Sequence, residues 1–317
     1  MLAAARRLVR SLVVVVLVTA GTVTLLSLAP GSVASVILGE NATPEAVARL
    51  NAQLGMDHPL WRQYLDWLGD AVTGDLGTSP LTNEPVMHAV LTRLPVTLEL
   101  AAMALTISLV AAVLLAVVSA AREGTATDRA TTAFSSVLLS VPAFIAGPLL
   151  IYLFSLRLGW FPVSGWARVS TDGLGANLRS ALLPSVSIAL TEVASFQRAL
   201  RADLVTTLRE DFIGAAHAKG LSRSYVMLRH ALRPSSFSLI TLAGINLGRL
   251  IGGTVVVETL FSLPGLGQLI VSSIISRDLI SVQGIVVFVV VAYVLVNTLV
   301  DLSYGWLDPR VRKVGAA

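Results

Sequence analysis

The stretch Asp211–Pro234, DFIGAAHAKGLSRSYVMLRHALRP, decides how the rest of the chain is read. It is polar and cationic, yet long apolar runs lie on both sides of it. Asp211 is expected to N-cap a helix over Phe212–Lys219, and Gly220 to supply its C-terminal stop. Such a helix is two turns and about 12 Å long. On it Phe212, Ala215, Ala216 and Lys219 share one face, where two alanines beside a bulky aromatic let the helix sit deep in a groove. Ser222 is expected to cap a second helix that ends before Pro234, with Tyr225, Leu228 and Leu232 on its apolar side. A short amphipathic element held between apolar spans suits docking onto a cytosolic partner.

Working outward, 55% of the 317 residues are hydrophobic and only 13% are charged, a combination that soluble domains rarely show. The apolar residues come in blocks, at roughly 11–28, 94–120, 131–157, 180–200, 235–258 and 281–304. Each block is long enough to cross a hydrocarbon core about 30 Å thick. The expectation is therefore an all-α polytopic membrane protein with six transmembrane helices, a single transmembrane domain over 1–317. Prolines at 142, 148 and 184 predict kinks. The first run follows Arg6, Arg7 and Arg10, and a signal peptide cut after Ser32-Val33-Ala34 is the competing reading. Its 18 residues exceed the usual signal-peptide core, which favours a retained span.

Residues 31–93 read as a polar insertion with two helices. Thr43-Pro44-Glu45 opens the first and Gly55 stops it; Pro59 opens the second, which runs through Asp70. Gly74–Ser79 is turn-rich.

Lysine and arginine fix the orientation. Arg6, Arg7, Arg10, Arg122, Arg129, Arg198, Arg201, Arg209, Lys219, Arg223, Arg229, Arg233, Arg310, Arg312 and Lys313 fall on one side. Arg49, Arg62, Arg93, Arg157, Arg168, Arg179 and Arg277 fall on the other, a ratio of 15 to 7. Both termini and the loop over 204–234 are thus expected in the cytoplasm, and 31–93 outside it.

Several chemistries have no residues to carry them. There is no cysteine, so disulfides and thiolate ligands are excluded. Lys219 follows Ala218, where a phosphate-binding loop would need glycine, and the chain is not expected to be an enzyme or to bind a cofactor. His58, His88, His217 and His230 are scattered, and no metal site is expected. Glu192 and Arg249 lie well inside apolar runs, where an ionised group costs about 2.5–3.5 kcal/mol on insertion scales. Their depths differ by only about 6 Å at 1.5 Å per residue, so they are expected either to pair or to line one polar cavity in a transport path. Asn297, Asp301, Tyr304 and Asp308, spaced by 4, 3 and 4, form a stripe at the end of the last span. That stripe either reaches water or braces the basic loop.

The loop resembles the cytoplasmic EAA loop of ABC-importer permeases, in the form used by the dipeptide, oligopeptide and nickel family. Gly214, Ala215, Ala216, Gly220 and Leu221 fit its first half, with Gly214 where the general pattern has glutamate. His230-Ala231-Leu232-Arg233-Pro234 matches the peptide-family second half. Similarity extends through Tyr64, Trp67 and Leu68, then Glu258, Pro264-Gly265-Leu266-Gly267, Arg277-Asp278, Gln283-Gly284, and Asp301 to Asp308-Pro309-Arg310. The resemblance implies a type I ABC importer permease fold in the bacterial inner membrane. It further implies a second homologous permease, two ATPases that carry ATP and magnesium, and an extracytoplasmic binding protein. Asp211–Leu221 would be the ATPase-coupling loop. Peptides are the implied substrate, with nickel or a metal chelate as the alternative within the family. An ATP-independent channel or secondary transporter, or a membrane scaffold, is the alternative of another class.

Overall fold

The computed structural model describes residues 2–28, 33–53 and 57–307. The helices in order are α1 (Leu2–Leu28), α2 (Val33–Leu38), α3 (Pro44–Gln53), α4 (Leu60–Val72), α5 (Val86–Ala121) and α6 (Ala126–Ser140). There follow α7 (Ala143–Leu150), continued by a π-helical turn over Ile151–Arg157, then α8 (Val169–Asp172) and α9 (Leu174–Leu208). Beyond these come α10 (Asp211–Ala218), α11 (Arg223–Tyr225) with a second π turn over Val226–Ala231, α12 (Leu232–Leu260), α13 (Leu266–Ile275) and α14 (Leu279–Leu307). The only β pairing among the described residues is the single bridge Thr78–Pro85.

All six predicted apolar blocks are helical. Val86–Ala121 and Leu279–Val300 cross a membrane by length and apolarity alone. The third block is not one straight span: α6 and α7 meet at 100°. Pro142 lacks an N–H and drives Val141 into extended backbone (φ −102°, ψ 107°), so the ladder stops there. Pro184, by contrast, lies within the continuous α9.

The chain divides into two compact units, Met1–Thr97 with Pro264–Leu295, and Leu98–Leu263 with Val296–Ala317. In the first, Trp67, Leu76, Val86, Val90, Leu266, Ile285 and Val287 form the core. Tyr64 Oη lies 2.8 Å from Thr19 Oγ1, and Trp67 Nε1 donates to the Leu76 carbonyl at 3.3 Å, which ties α4 to α1 and to the turn after it. Within 31–93, the short α2 adds to the two expected helices, and Pro59 sits at the N-cap of α4 as the sequence suggests. The Gly55 stop lies outside the described residues.

In the second unit α9 is the buried centre. Phe196, Leu200 and Leu204 are fully enclosed, and α5 presents Ala112, Ala116 and Ala120 to the same core. Alanine every fourth residue on one helix face, beside large side chains of its neighbour, lets two helices approach closely. α6 and α12 pack against α9 as well. Arg198 and Arg201 are on α9, whose apolar periodicity continues past the expected block through Leu204.

Candidate functional site

The site is built on the end of α9. After Leu208, Arg209 and Glu210 turn the chain and α10 follows. Glu210, not Asp211, holds the N-cap position (φ −72°, ψ 148°), with no side-chain bond to the helix. The Ile213 N–H bonds to the Glu210 carbonyl at 3.0 Å, and burial of Ile213 and Ala216 sets where the first turn begins. Asp211 is the first helical residue, where a negative charge favours the N-terminal dipole. The expected face is corrected in the same way: Ala216 enters the core with Ile213, while Phe212, Ala215 and Lys219 are exposed. Gly214 faces open space, so nothing nearby forces the absence of a side chain.

Gly220 ends α10 at φ +78°. Its N–H bonds to the His217 carbonyl at 2.9 Å, and that of Leu221 to the Ala216 carbonyl at 3.3 Å. Together they close a Schellman motif on the carbonyls the helix leaves over. The Ser222 hydroxyl accepts from the Tyr225 N–H at 3.4 Å and starts the next helix. That helix does not stop before Pro234. The π turn over Val226–Ala231 widens the ladder just ahead of the proline, and α12 continues through it. The wider turn also rotates the buried face onto Val226, Met227 and Ala231, leaving Tyr225 and Leu228 exposed and Leu232 half-buried. Behind α10 lies a cavity of about 710 Å³, lined by Val117, Leu208, Ile213, Met227, His217 and Arg223 among others.

One turn fastens to α9 beside this segment. The Asp128 carboxylate, buried in the first turn of α6, accepts from Arg201 Nε at 2.8 Å and Nη2 at 2.7 Å. It also accepts from Ser119 Oγ at 2.5 Å and the Gly124 N–H at 2.9 Å. The Arg201 hydrogen bonds, more than the Ser119 one, hold Asp128 well below the usual carboxylate range. The pair therefore stabilises the fold above the unfolded value near pH 4, and that stability fades only as pH falls further. Nothing in the sequence singles Asp128 out, because its partner is 73 residues away.

Glu192 and Arg249 come together. Arg249 Nη2 donates to Glu192 Oε1 at 2.7 Å, and Asn246 Nδ2 to Oε2 at 2.8 Å. The Glu192 side chain is 6% exposed and that of Arg249 64%. Asn246 was missed, although its position three residues before Arg249 puts both on one helix face.

Glu258 is fully buried in the last turn of α12, and its carbonyl accepts from the Leu263 N–H at 2.8 Å. The helix breaks over residues 261–265, between α12 and α13, with Ser262 at φ +52°. Gly265 holds the N-cap of α13 in extended backbone, and Gly267 is buried in its first turn. Asp278 caps α14 through the Ser281 N–H at 3.0 Å and accepts from Ser79 Oγ at 2.5 Å. The side chains of Asp301 and Tyr304, and the whole of Asp308, lie outside the described residues. Among the described residues no three His, Asp or Glu side chains converge on a point that could hold a metal ion.

Long apolar helices, two of them apolar and long enough to cross a membrane, with the short helix α10 set between α9 and α12, define a membrane permease subunit. The model of the binding-protein-dependent transport system inner membrane component family matches residues 88–313, and that of the N-terminal part of such components matches 1–101. The chain belongs to this family of inner-membrane ABC importer subunits, whose work involves an ATPase and a substrate-binding protein. It is 36% identical over 307 residues to a probable peptide ABC transporter permease of Sinorhizobium fredii, covering 97% of this chain and 98% of that one. It is 33% identical to the dipeptide transport system permease of Alkalihalophilus pseudofirmus, with 98% of both chains covered. To the di/tripeptide permease of Pseudomonas aeruginosa it is 36% identical, over 93% of this chain and 94% of that one. The crystal structure of an amino acid ABC transporter with histidines shares the fold at a TM-score of 0.51 and 15% identity, over 68% of this chain and 92% of that chain.

Proposed function

We propose that this subunit forms half of the translocation path of a peptide importer and converts the movement of cytosolic ATPases into opening and closing of that path. The observation that carries the reading is α10: a two-turn helix, closed by a Schellman stop and followed by a serine-capped helix, that presents Phe212, Ala215 and Lys219 outward. Its ends run into α9 and, through α11 and the π turn, into α12, so a push on α10 is delivered to two long helices at once. The peptide substrate rests on the names of full-length relatives at 33–36% identity.

In this reading a second homologous permease completes the path, and two ATPase subunits carry ATP and magnesium, one docking on α10. A binding protein delivers substrate from outside. Both termini and α10 face the cytoplasm, supported by the 15-to-7 division of positive charge. Glu192 and Arg249 line the path. Arg249 lies about 21 Å into the apolar run that begins at residue 235, at 1.5 Å per residue, and a cation inside a span is costly unless it faces protein or a cavity.

Proteoliposomes holding the two permeases, the ATPases and the binding protein test the substrate. Uptake of a radiolabelled dipeptide should be competed by unlabelled di- and tripeptides and not by Ni²⁺. Competition by Ni²⁺ alone would move the substrate to a metal ion.

A further inference from the structure

The last third of α9 is tied to the α5–α6 turn twice. Arg201 grips Asp128 with two donors, and the Arg201 Nε also reaches Ser119 Oγ at 2.9 Å. Eight residues on, at the mouth of α10, Arg209 Nη2 meets Glu123 Oε1 at 2.7 Å. Both acids belong to one short stretch, residues 123–128, whose backbone the Asp128 carboxylate itself closes through the Gly124 N–H.

The stability that the inner pair gives does not by itself call for charge at this place. Replacing a buried ion pair by apolar side chains of similar volume is often neutral or stabilising. What the fork adds is direction. An apolar contact is non-directional, whereas a two-pronged Arg–Asp bond favours one register and resists both shear and rotation. The apolar contacts around it, Leu200 and Leu204 near Ala116 and Ala120, offer no such restraint. Downstream of Asp128, α6 runs to the 100° break at Val141–Pro142, a natural place for movement to be absorbed.

We propose that Asp128 and Arg201 are positioning residues for energy coupling: their fork, with Glu123–Arg209 beside it, makes the α5–α6 turn move as one body with α9 and the docking helix α10. A push on α10 then reaches α6 and its bend directly, instead of being lost by slippage between helices. This rests on the reading of α10 as the ATPase contact.

The test is peptide transported per ATP hydrolysed, measured with the complete complex in proteoliposomes, with the assembled complex quantified in parallel. Asp128→Asn and Arg201→Met should each lower that ratio by roughly 5- to 100-fold, the usual span of coupling between sites, while ATP hydrolysis per assembled complex persists. The exchange Asp128→Arg with Arg201→Asp should recover part of it. Unchanged ratios in variants that assemble, or hydrolysis and transport falling together with the amount of complex, would reduce the fork to a structural brace. A second measurement does not depend on variants of the fork. The chain has no cysteine, so Glu123→Cys with Arg209→Cys can be bridged by a short bis-maleimide. Bridged complex should transport as the unbridged does; loss of transport on bridging would mean that the two segments part during the cycle, and would overturn the proposal. If wild-type complex hydrolyses ATP without any transport, it is the docking role of α10 that fails instead.

Discussion

Gly220 holds φ at +78° with nothing within 4 Å of where a Cβ would stand, so the position demands a backbone shape and not space. A β-branched residue there is strained by about 1 kcal/mol or more, whereas asparagine tolerates the left-handed region. Gly220→Val should therefore displace α10 and abolish uptake with membrane insertion unchanged, and Gly220→Asn should keep most of it. Membrane fractionation and uptake in the same cells check both. Glu192 and Arg249 make a second residue-scale case. Losing Arg249 leaves the buried Glu192 without its counter-ion, a penalty of about 3–5 kcal/mol, and losing Glu192 leaves an unpaired cation inside an apolar span, so Glu192→Gln and Arg249→Gln should each impair assembly or uptake. The double replacement should be milder than the sum of the two; strict additivity would mean that the 2.7 Å contact carries no coupling. This pair was legible in the sequence because depth along two apolar runs is simple arithmetic. Asp128–Arg201 was not, because both residues sit at span ends where charge is unremarkable and only folding brings them together.

At the scale of elements, glycine in α14 has a different job from Gly220. A Cβ on Gly284 would stand 2.7 Å from Val86 Cγ1 and 3.1 Å from Leu76 Cβ, so α14 passes α5 and the preceding turn at backbone distance. Gly284→Leu should overpack that contact, typically by about 1–3 kcal/mol, and lower the thermal midpoint of the detergent-solubilised protein. An unchanged midpoint would mean that the contact opens at little cost. Proline was the harder signal to read. Pro142 breaks its span more sharply than a kink, because the residue before it is forced out of helix, whereas Pro184 breaks nothing. Pro234 was expected to end a helix, yet the π turn ahead of it removes the clash and moves the buried face from Tyr225 and Leu228 to Val226 and Met227. Helix period alone misassigns faces wherever such a turn intervenes. The same holds for Ala216, which packing and not spacing turns inward.

At the scale of the whole molecule, the positions of all six apolar blocks could be read directly, since 20-residue apolar runs have few alternatives. The orientation follows from charge and is open to a direct check. Ser224 and Ser170 are both exposed, and the chain has no other thiol to confuse labelling. Ser170→Cys should react with an impermeant maleimide from outside intact cells, and Ser224→Cys only after permeabilisation; labelling of both from outside would invert the topology. In the proposed function this chain moves peptides only when driven through α10 by ATP hydrolysed elsewhere. Initial uptake of a labelled dipeptide by proteoliposomes holding the complete complex, with and without ATP inside, tests this. Uptake should require ATP and the binding protein and vanish in Gly220→Val. Equal uptake without ATP would contradict it.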